Sequence, residues 1–496
     1  LTIHIRRPIR WIPERVTDLV HIEELKGQPS VMDVLHTVRN EEFILLLDSA
    51  TSPRARDSRY TFLTADPIDV CVLPECCFGD DPFSTTRTWQ GRMEAVPDRE
   101  LPPFHGGIAG LMSYDLGRAF ERLPEVGRTQ FSTPVLAAGL FDWAIVWDRL
   151  ASKVTLYVIR IDAQHESTSA ARQKERVQWV GERLRGLGGQ AGATKPGHTA
   201  LTGRGDSANK RCSDPVSMNH VQSVPVESTF SQSEYLEAVQ RVIEYIAAGD
   251  IFQANLSQRL TAPWGGSAID LYRHVRSQNA APFCGLLQTS EFAIVSASPE
   301  RFLKVEQGRR VETRPMKGTR RRQQSPIADL YIADELLASE KDRAENVMIV
   351  DLLRNDISRV CSTGSVEVTG VCEIEVFETV QHLVSTVVGE LRQECDVWDL
   401  CAACFPGGSI TGAPKIRAME IIAELEQTSR GAYCGSLFYC GPDNAFDSSI
   451  LIRTFTLRNG QVAFPVGGGV VADSVPRDEF DETLHKASGM LRSLRQ

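Results

Sequence analysis

The sequence predicts an α+β fold, and three observations carry that expectation. Short apolar or alternating runs of strand type occur in both halves of the 496-residue chain. Amphipathic helical runs are scattered between them without strict βαβ alternation, which argues against a doubly wound parallel sheet. Composition is ordinary for a globular chain, with 42% hydrophobic and 24% charged residues, so a large core can form.

Along residues 1–187 the runs FILLLDSA, YTFLTADP, GGIAGLMSYDLG, AAGLFDWAIVWD and KVTLYVIRID read as strands separated by turns. ESTSAARQKERVQWVGERLRGL reads as an amphipathic helix that ends near Gly188. Residues 188–228 are rich in Gly, Ser, Thr, Asn and Pro without apolar periodicity, the signature of a flexible linker. Order resumes in residues 229–496. SQSEYLEAVQRVIEYIAAGD spaces apolar residues three and four apart and runs from Ser231 or Ser233 to Gly249. FQANLSQRLTA, FCGLLQTSEFAIVSAS and RFLKVEQGRRVETRP read as strands, ELLASEKDRAENVMIVDLLRND and KIRAMEIIAELEQ as helices. Residues 458–461, Arg-Asn-Gly-Gln, are a strong hairpin signal, and a helix closes the chain.

Charge and cysteine usage exclude several classes. A net charge of −10 argues against bulk nucleic-acid or anionic-membrane binding, so an anionic substrate would need locally placed cations, N–H groups or a metal. No apolar run reaches the roughly 18 residues of a membrane span. LTIHIRRPIR lacks the apolar stretch of a secretory signal. Twelve scattered cysteines suit a reducing, cytoplasmic setting, and Cys401 and Cys404 read as one turn of a buried helix.

Three glutamates stand out: Glu300 where SASPE runs from a strand into a turn, Glu345 on an otherwise largely apolar helix, and Glu482 in the first turns of the last helix. Two carboxylates on two helices could share a hard cation such as Mg²⁺, although spacing alone leaves solvated faces open for all three. Two glycine-rich segments offer backbone N–H groups to an anion: residues 407–415, GGSITGAPK, with Pro414 suited to the first helical position, and Gly467-Gly468-Gly469. The first is not a nucleotide-phosphate loop, because Ala413 stands where that motif needs lysine. Lys317, in RPMKGTR among Arg314, Arg320, Arg321 and Arg322, is either a solvated basic residue or an amine made nucleophilic by burial and neighbouring cations.

In order, FQANLSQR, SASPERF, RPMKGT, KDRAENVMIVDLLRND, QHLVS, CFPGGSITGAPK, YCGSLFY, ILIRT and GGGVVADSVPRDEFDET resemble the chorismate-utilising enzymes. That family includes anthranilate, aminodeoxychorismate, isochorismate and salicylate synthases. The resemblance is strong over residues 230–496, and LLLDSA and GGIAGLMSYDLG extend it to the amino-terminal portion of the first two members. It implies a large antiparallel β-sandwich wrapped by helices. It further implies that Glu345 and Glu482 bind Mg²⁺, that Gly318, Thr319, Tyr433, Arg453 and Gly467–Gly469 contact the carboxylates of chorismate, that Glu300 is the general acid, and that His382 and Thr411 line the site. Lysine at 317, where other branches carry alanine, and Gln253, where water-using members carry a lysine base, imply the branch that forms 4-amino-4-deoxychorismate from chorismate and ammonia. Lys317 would then be the nucleophile. No glutaminase GxCxG turn and no lyase module are found, so a separate glutamine amidotransferase subunit is expected as partner. The alternatives are anthranilate synthase component I and, in another class, a non-catalytic amino-acid-binding regulatory subunit. By the same resemblance, Ser49, Pro282 and Phe283 would border a second pocket for an amino acid. Pro282-Phe283-Cys284 departs from the Pro-Tyr-Met of feedback-inhibited anthranilate synthases, so strong feedback inhibition is not expected.

Overall fold

In the computed structural model, residues 11–16, 19–52, 57–96, 100–162, 165–185, 187, 225–306, 308–323, 325–376 and 380–495 are described. The expected linker falls almost wholly outside them.

The runs read as strands assemble into two antiparallel sheets. In the first, the order across the sheet is Trp11–Val16, Val20–Leu25, Lys153–Ile159, Trp143–Asp148, Tyr60–Thr64, Ile44–Asp48, Phe283–Gln288, Ala293–Ser298, Thr454–Arg458, Gln461–Val470, Gln253–Pro263 and Glu227–Ser228. Gly412–Ala413 adds a short strand against Gln253 and Ala254. The second runs Met316–Arg321, Val380–Glu390, Arg310–Thr313, Arg301–Val305, Phe446–Ser449, Ser436–Cys440, Gly107–Met112, Leu136–Phe141 and Asp69–Leu73, with Glu367–Val376 also on Val380–Glu390.

Both sheets are composite. Ile44–Asp48 pairs with Phe283–Gln288 in one, and Gly107–Met112 with Ser436–Cys440 in the other. Strands from the first 160 residues and strands from beyond residue 280 therefore share two continuous ladders. Leu45, Phe62, Ala109, Leu111, Leu287, Ile294, Leu437 and Leu451 fill the space between the sheets. The outer face of the first sheet is covered by helices Val31–Thr37, Glu166–Arg185, Ala268–Gln278 and Pro476–Ser493. The outer face of the second is covered by Ser84–Gln90, Glu340–Ser358 and Val397–Cys404. This is the helix-wrapped antiparallel sandwich that the sequence implied.

Local signals explain the elements that carry the cleft. Helix Gln232–Ala248 opens on a Ser231–Glu234 capping box and closes on Gly249 at φ 84°. The hairpin at 458–461 turns through Asn459 and Gly460, both at positive φ, as an Asn-Gly turn requires. Pro414 is the N-cap of helix Lys415–Glu426, one position earlier than expected. Cys401 and Cys404 are buried on helix Val397–Cys404.

Candidate active site

The candidate site centres on the strand Met316–Arg321, where a bulge interrupts the ladder. Lys317 pairs with Leu383 and Thr319 with the next residue, His382, leaving Gly318 unpaired. Gly318 holds φ 67°, which a glycine adopts without strain, and a side chain there would collide with Leu336 and Asp342. Such a bulge re-aims the neighbouring side chain. The strand leads straight from this bulge to helices Pro326–Ala338 and Glu340–Ser358, and the second of these carries Glu345.

Lys317 and the three glutamates lie in one another's electrostatic field. Burial lowers the Lys317 ammonium from its ordinary value, against the pull of Glu345, Glu300 and Glu482 and with a push from Lys486. Burial raises the Glu300 carboxyl to about 7, although a Ser409 hydrogen bond and the cations Lys317 and Arg453 oppose it. Burial likewise raises Glu345 against Lys317 and Lys341. At Glu482 burial pushes upward, but Lys486, Lys341 and Lys317 together outweigh it and the carboxyl lies below its usual range. The arginines expected to depress Lys317 are not the cause. Arg314 pairs with Asp57 and Glu375, Arg320 with Glu335 and Asp342, and Arg322 with Asp329. The cation that acts on Lys317 is Lys486, from the last helix.

Lys486 also joins that helix to the glycine triplet. Its ammonium is 2.6 Å from Glu482 Oε1 and donates to the Gly467 carbonyl at 2.8 Å. A Cβ on Gly468 would stand 3.2 Å from Glu479 and 3.4 Å from Glu482. Glu479 is itself buried, accepts from Ser474 at 2.6 Å and is raised by burial. Glu345, Glu479 and Glu482 thus place carboxylates near shared ammonium groups, and carboxylate oxygen is the donor type that Mg²⁺ takes. Among the described residues no group of three or more His, Cys, Asp or Glu side chains is arranged to hold a metal ion.

Of the other expected residues, His382 and Arg453 adjoin this centre. His382 Nδ1 lies 3.0 Å from Thr319 Oγ1 and 3.4 Å from the Gly318 carbonyl. Burial, then Arg453, depress His382 to about 4, so the imidazole is neutral at neutral pH. Arg453 stands at φ 52°, an uncommon conformation for a non-glycine residue, and its carbonyl accepts from Ala297 N. Residues 407–413 are buried. Thr411 is buried, and its hydroxyl donates to the Gly407 carbonyl at 3.0 Å, so this donor is spent on the loop. Tyr433 is buried near Arg430, whose guanidinium lies 5.8 Å from its ring centre. Gln253 is fully buried, and among the described residues neither end of its amide has a hydrogen-bond partner; a side chain on Gly469 would collide with it.

The profile of chorismate-binding enzymes matches residues 62–492, most of the chain. The chain belongs to the chorismate-binding enzyme family. It is 38% identical over 466 residues to aminodeoxychorismate synthase component 1 of Salmonella typhimurium, covering 93% of this chain and 91% of the relative. It is 40% identical over 403 residues to anthranilate synthase component 1 of Thermus thermophilus, covering 81% and 80%. The fold matches the crystal structure of anthranilate synthase component I from Streptococcus pneumoniae with a TM-score of 0.71, at 29% identity, over 88% of this chain and 92% of that one.

Away from this site, a cavity of about 310 Å³ brings Ser49, Pro282 and Phe283 together with Asp57, Arg301 and Asp447. Ser49 Oγ donates to the Pro282 carbonyl at 3.1 Å. The Arg301 guanidinium lies 5.2 Å from the Phe283 ring centre and pairs with Asp57, Glu312 and Asp447. Sequence reasoning passed over Lys486, Glu479, Ser409 and the Glu426–Arg430 pair. Two were within reach: Glu479 and Lys486 stand three before and four after Glu482, on one face of an amphipathic helix. Ser409 and Arg430 act across the fold and carry no local signal.

Proposed function

We propose that the chain converts chorismate and ammonia to 4-amino-4-deoxychorismate and water, with Lys317 as covalent nucleophile and Glu300 as general acid. The observation that carries this reading is the pairing of an amine lowered by burial with a carboxyl raised to about 7 in the same cleft. A neutral amine can attack, and a protonated carboxyl can give its proton to a leaving hydroxide. The Lys317 amine bonds to C2 of chorismate, both ring double bonds shift (C1=C2 to C1=C6 and C5=C6 to C4=C5), and the C4–O bond breaks as Glu300 donates its proton and water departs; the proton lost by the attacking amine returns to the Glu300 carboxylate. Ammonia then bonds to C4, both double bonds shift back, and the C2–N bond breaks; Glu300 gives its proton to the departing Lys317 nitrogen and takes one from the new amine. The enolpyruvyl group stays on the ring.

Glu345 and Glu482, with Glu479 close by, would hold Mg²⁺, which when bound neutralises an anionic substrate group. Arg453 and the Gly467–Gly469 N–H groups would bind the remaining carboxylate charge, and the closed cleft would strengthen each of these contacts. A separate glutamine amidotransferase component would supply the ammonia. The second cavity, with carboxylates and cations on its walls, would seat an amino acid as a filling ligand and not as a strong inhibitor. The alternative, anthranilate formation, is favoured by the anthranilate synthases among the relatives and opposed by lysine at 317.

Intact-protein mass spectrometry tests the nucleophile. Incubated with chorismate and Mg²⁺ but no ammonia, the chain should gain the mass of chorismate less one water, on the peptide containing Lys317. Lys317→Ala should show no adduct. Lys317→Arg should not restore turnover, because a guanidinium stays protonated. Near-normal turnover by the arginine variant would overturn the nucleophile reading and leave Lys317 a simple counter-charge.

A further inference from the structure

Glu300 and Lys317 each have a buried arginine close by in sequence. Arg301 follows Glu300 and opens strand Arg301–Val305, and Arg314 stands three residues before Lys317, just past strand Arg310–Thr313. The two guanidiniums meet on one carboxylate. Asp57 Oδ1 accepts from Arg301 at 2.7 Å, and Asp57 Oδ2 accepts from Arg314 at 3.1 Å. Arg301 also donates to both oxygens of Asp447 at 2.9 Å each, and Arg314 to Glu375 and to the Thr386 hydroxyl at 3.4 Å. The Glu300 carboxyl accepts from the Met316 amide, so whatever places residues 314–317 also places the general acid. Asp57 itself comes from the amino-terminal half, between strands Ile44–Asp48 and Tyr60–Thr64, and holds φ 66°. Its carbonyl accepts from Ser49 Oγ at 3.2 Å, and Arg149 donates to the carbonyls of Ser49, Thr51 and Ser58 around it. Backbone held off the common conformations by surrounding contacts concentrates at functional sites.

We propose that Asp57 is a positioning residue, which bridges Arg301 and Arg314 and so fixes the separation of Glu300 and Lys317. The inference rests on the proposed reading that these two groups act together on chorismate, and it adds a residue from the other half of the chain that works through the arginines. Asp447 and Glu375 each balance one arginine, whereas Asp57 joins the two. Without its charge, two buried guanidiniums would face each other between neighbouring strands, and like charges repel strongly where water is excluded. The strands would shift apart and carry the reacting groups with them. A displacement of about 1 Å at a reacting pair can cost about a hundredfold in rate. No substrate contact is lost in that displacement, so the loss falls on kcat and not on KM.

The test compares the full chain with Asp57→Asn, which keeps the shape of the side chain and removes its charge. Steady-state turnover is measured with chorismate, ammonium and Mg²⁺; the rate and final extent of adduct formation at Lys317 are measured with chorismate and Mg²⁺ alone. Asp57→Asn should lower kcat and the adduct rate by roughly tenfold or more, with the chorismate KM within about twofold and the same final fraction of chain labelled. A residue that only stabilised the fold would give the opposite pattern, a smaller labelled fraction reacting at the unsubstituted rate, and that result would overturn the inference. Arg314→Lys serves if the asparagine variant does not fold. It keeps the charge but offers one ammonium where the guanidinium spans Asp57, Glu375 and Thr386. Its adduct rate should fall by about fivefold or more, and an unchanged rate would again overturn the inference. Failure of the underlying reading looks different: the unsubstituted chain itself forms no adduct, and the kcat comparison alone then decides whether Asp57 positions the site.

Discussion

At the scale of single residues, the cleft holds its key groups in states that folding alone would not select. Glu300 has a carboxyl raised to about 7, so its ionised form is disfavoured by burial more than Lys317, Arg453 and Ser409 compensate. The linkage sign follows. A carboxyl whose folded value exceeds its unfolded value contributes stability below the unfolded value, and that contribution is lost as pH rises through the folded one. Glu300→Gln, which cannot ionise, should therefore stabilise the protein by roughly 2 kcal/mol at pH 8 and by almost nothing at pH 4. Urea unfolding at both pH values checks this, and an equal effect at each would contradict it. The same variant should lose activity at every pH, because it has no proton to give. Glu300 was legible in the sequence as a carboxylate at a strand end, but its raised value was not, since burial depends on residues 409 and 453. The resemblance pointed to Lys317 as a proposed nucleophile, whereas the cation acting on it, Lys486, comes from a helix about 170 residues away.

At the scale of elements, the buried loop 407–413 is held from outside. Arg430 donates to Glu426, to the Ile410 carbonyl at 3.0 Å and to the Asn255 carbonyl at 2.6 Å. Glu426 in turn accepts from the amide and hydroxyl of Ser257 at 2.8 Å each. One ion pair thus ties the loop, strand Gln253–Pro263 and the end of helix Lys415–Glu426 together. Glu426→Ala leaves a buried guanidinium unpaired and should cost about 3–5 kcal/mol. It should also raise the chorismate KM with a smaller effect on kcat, because the pair is remote from the reacting bonds. Denaturant titration and steady-state kinetics measure both, and a loss below about 1 kcal/mol would show that the pair is not what anchors the loop. The helices and hairpins themselves were readable from caps and periodicity. That residues 407–413 lie buried was not legible, since a glycine-rich run looks the same whether it lies in solvent or beneath a helix.

At the scale of the molecule, both sheets are completed by strands far apart in sequence, so the cleft depends on the whole sandwich. The α+β class and the helical wrapping were legible from element order and from the ordered motifs. The interleaving was not, because adjacency of Ile44–Asp48 and Phe283–Gln288 leaves no trace in local pattern. The sandwich is common to family members that form different products, so architecture does not select the reaction. That selection falls to the site around Lys317, and the proposed reaction is amination at C4 without loss of pyruvate. Chromatography of the products from chorismate, ammonium and Mg²⁺ with the isolated chain tests this most directly. 4-Amino-4-deoxychorismate should be the accumulating product, with no pyruvate released; anthranilate with stoichiometric pyruvate would contradict the proposed reaction.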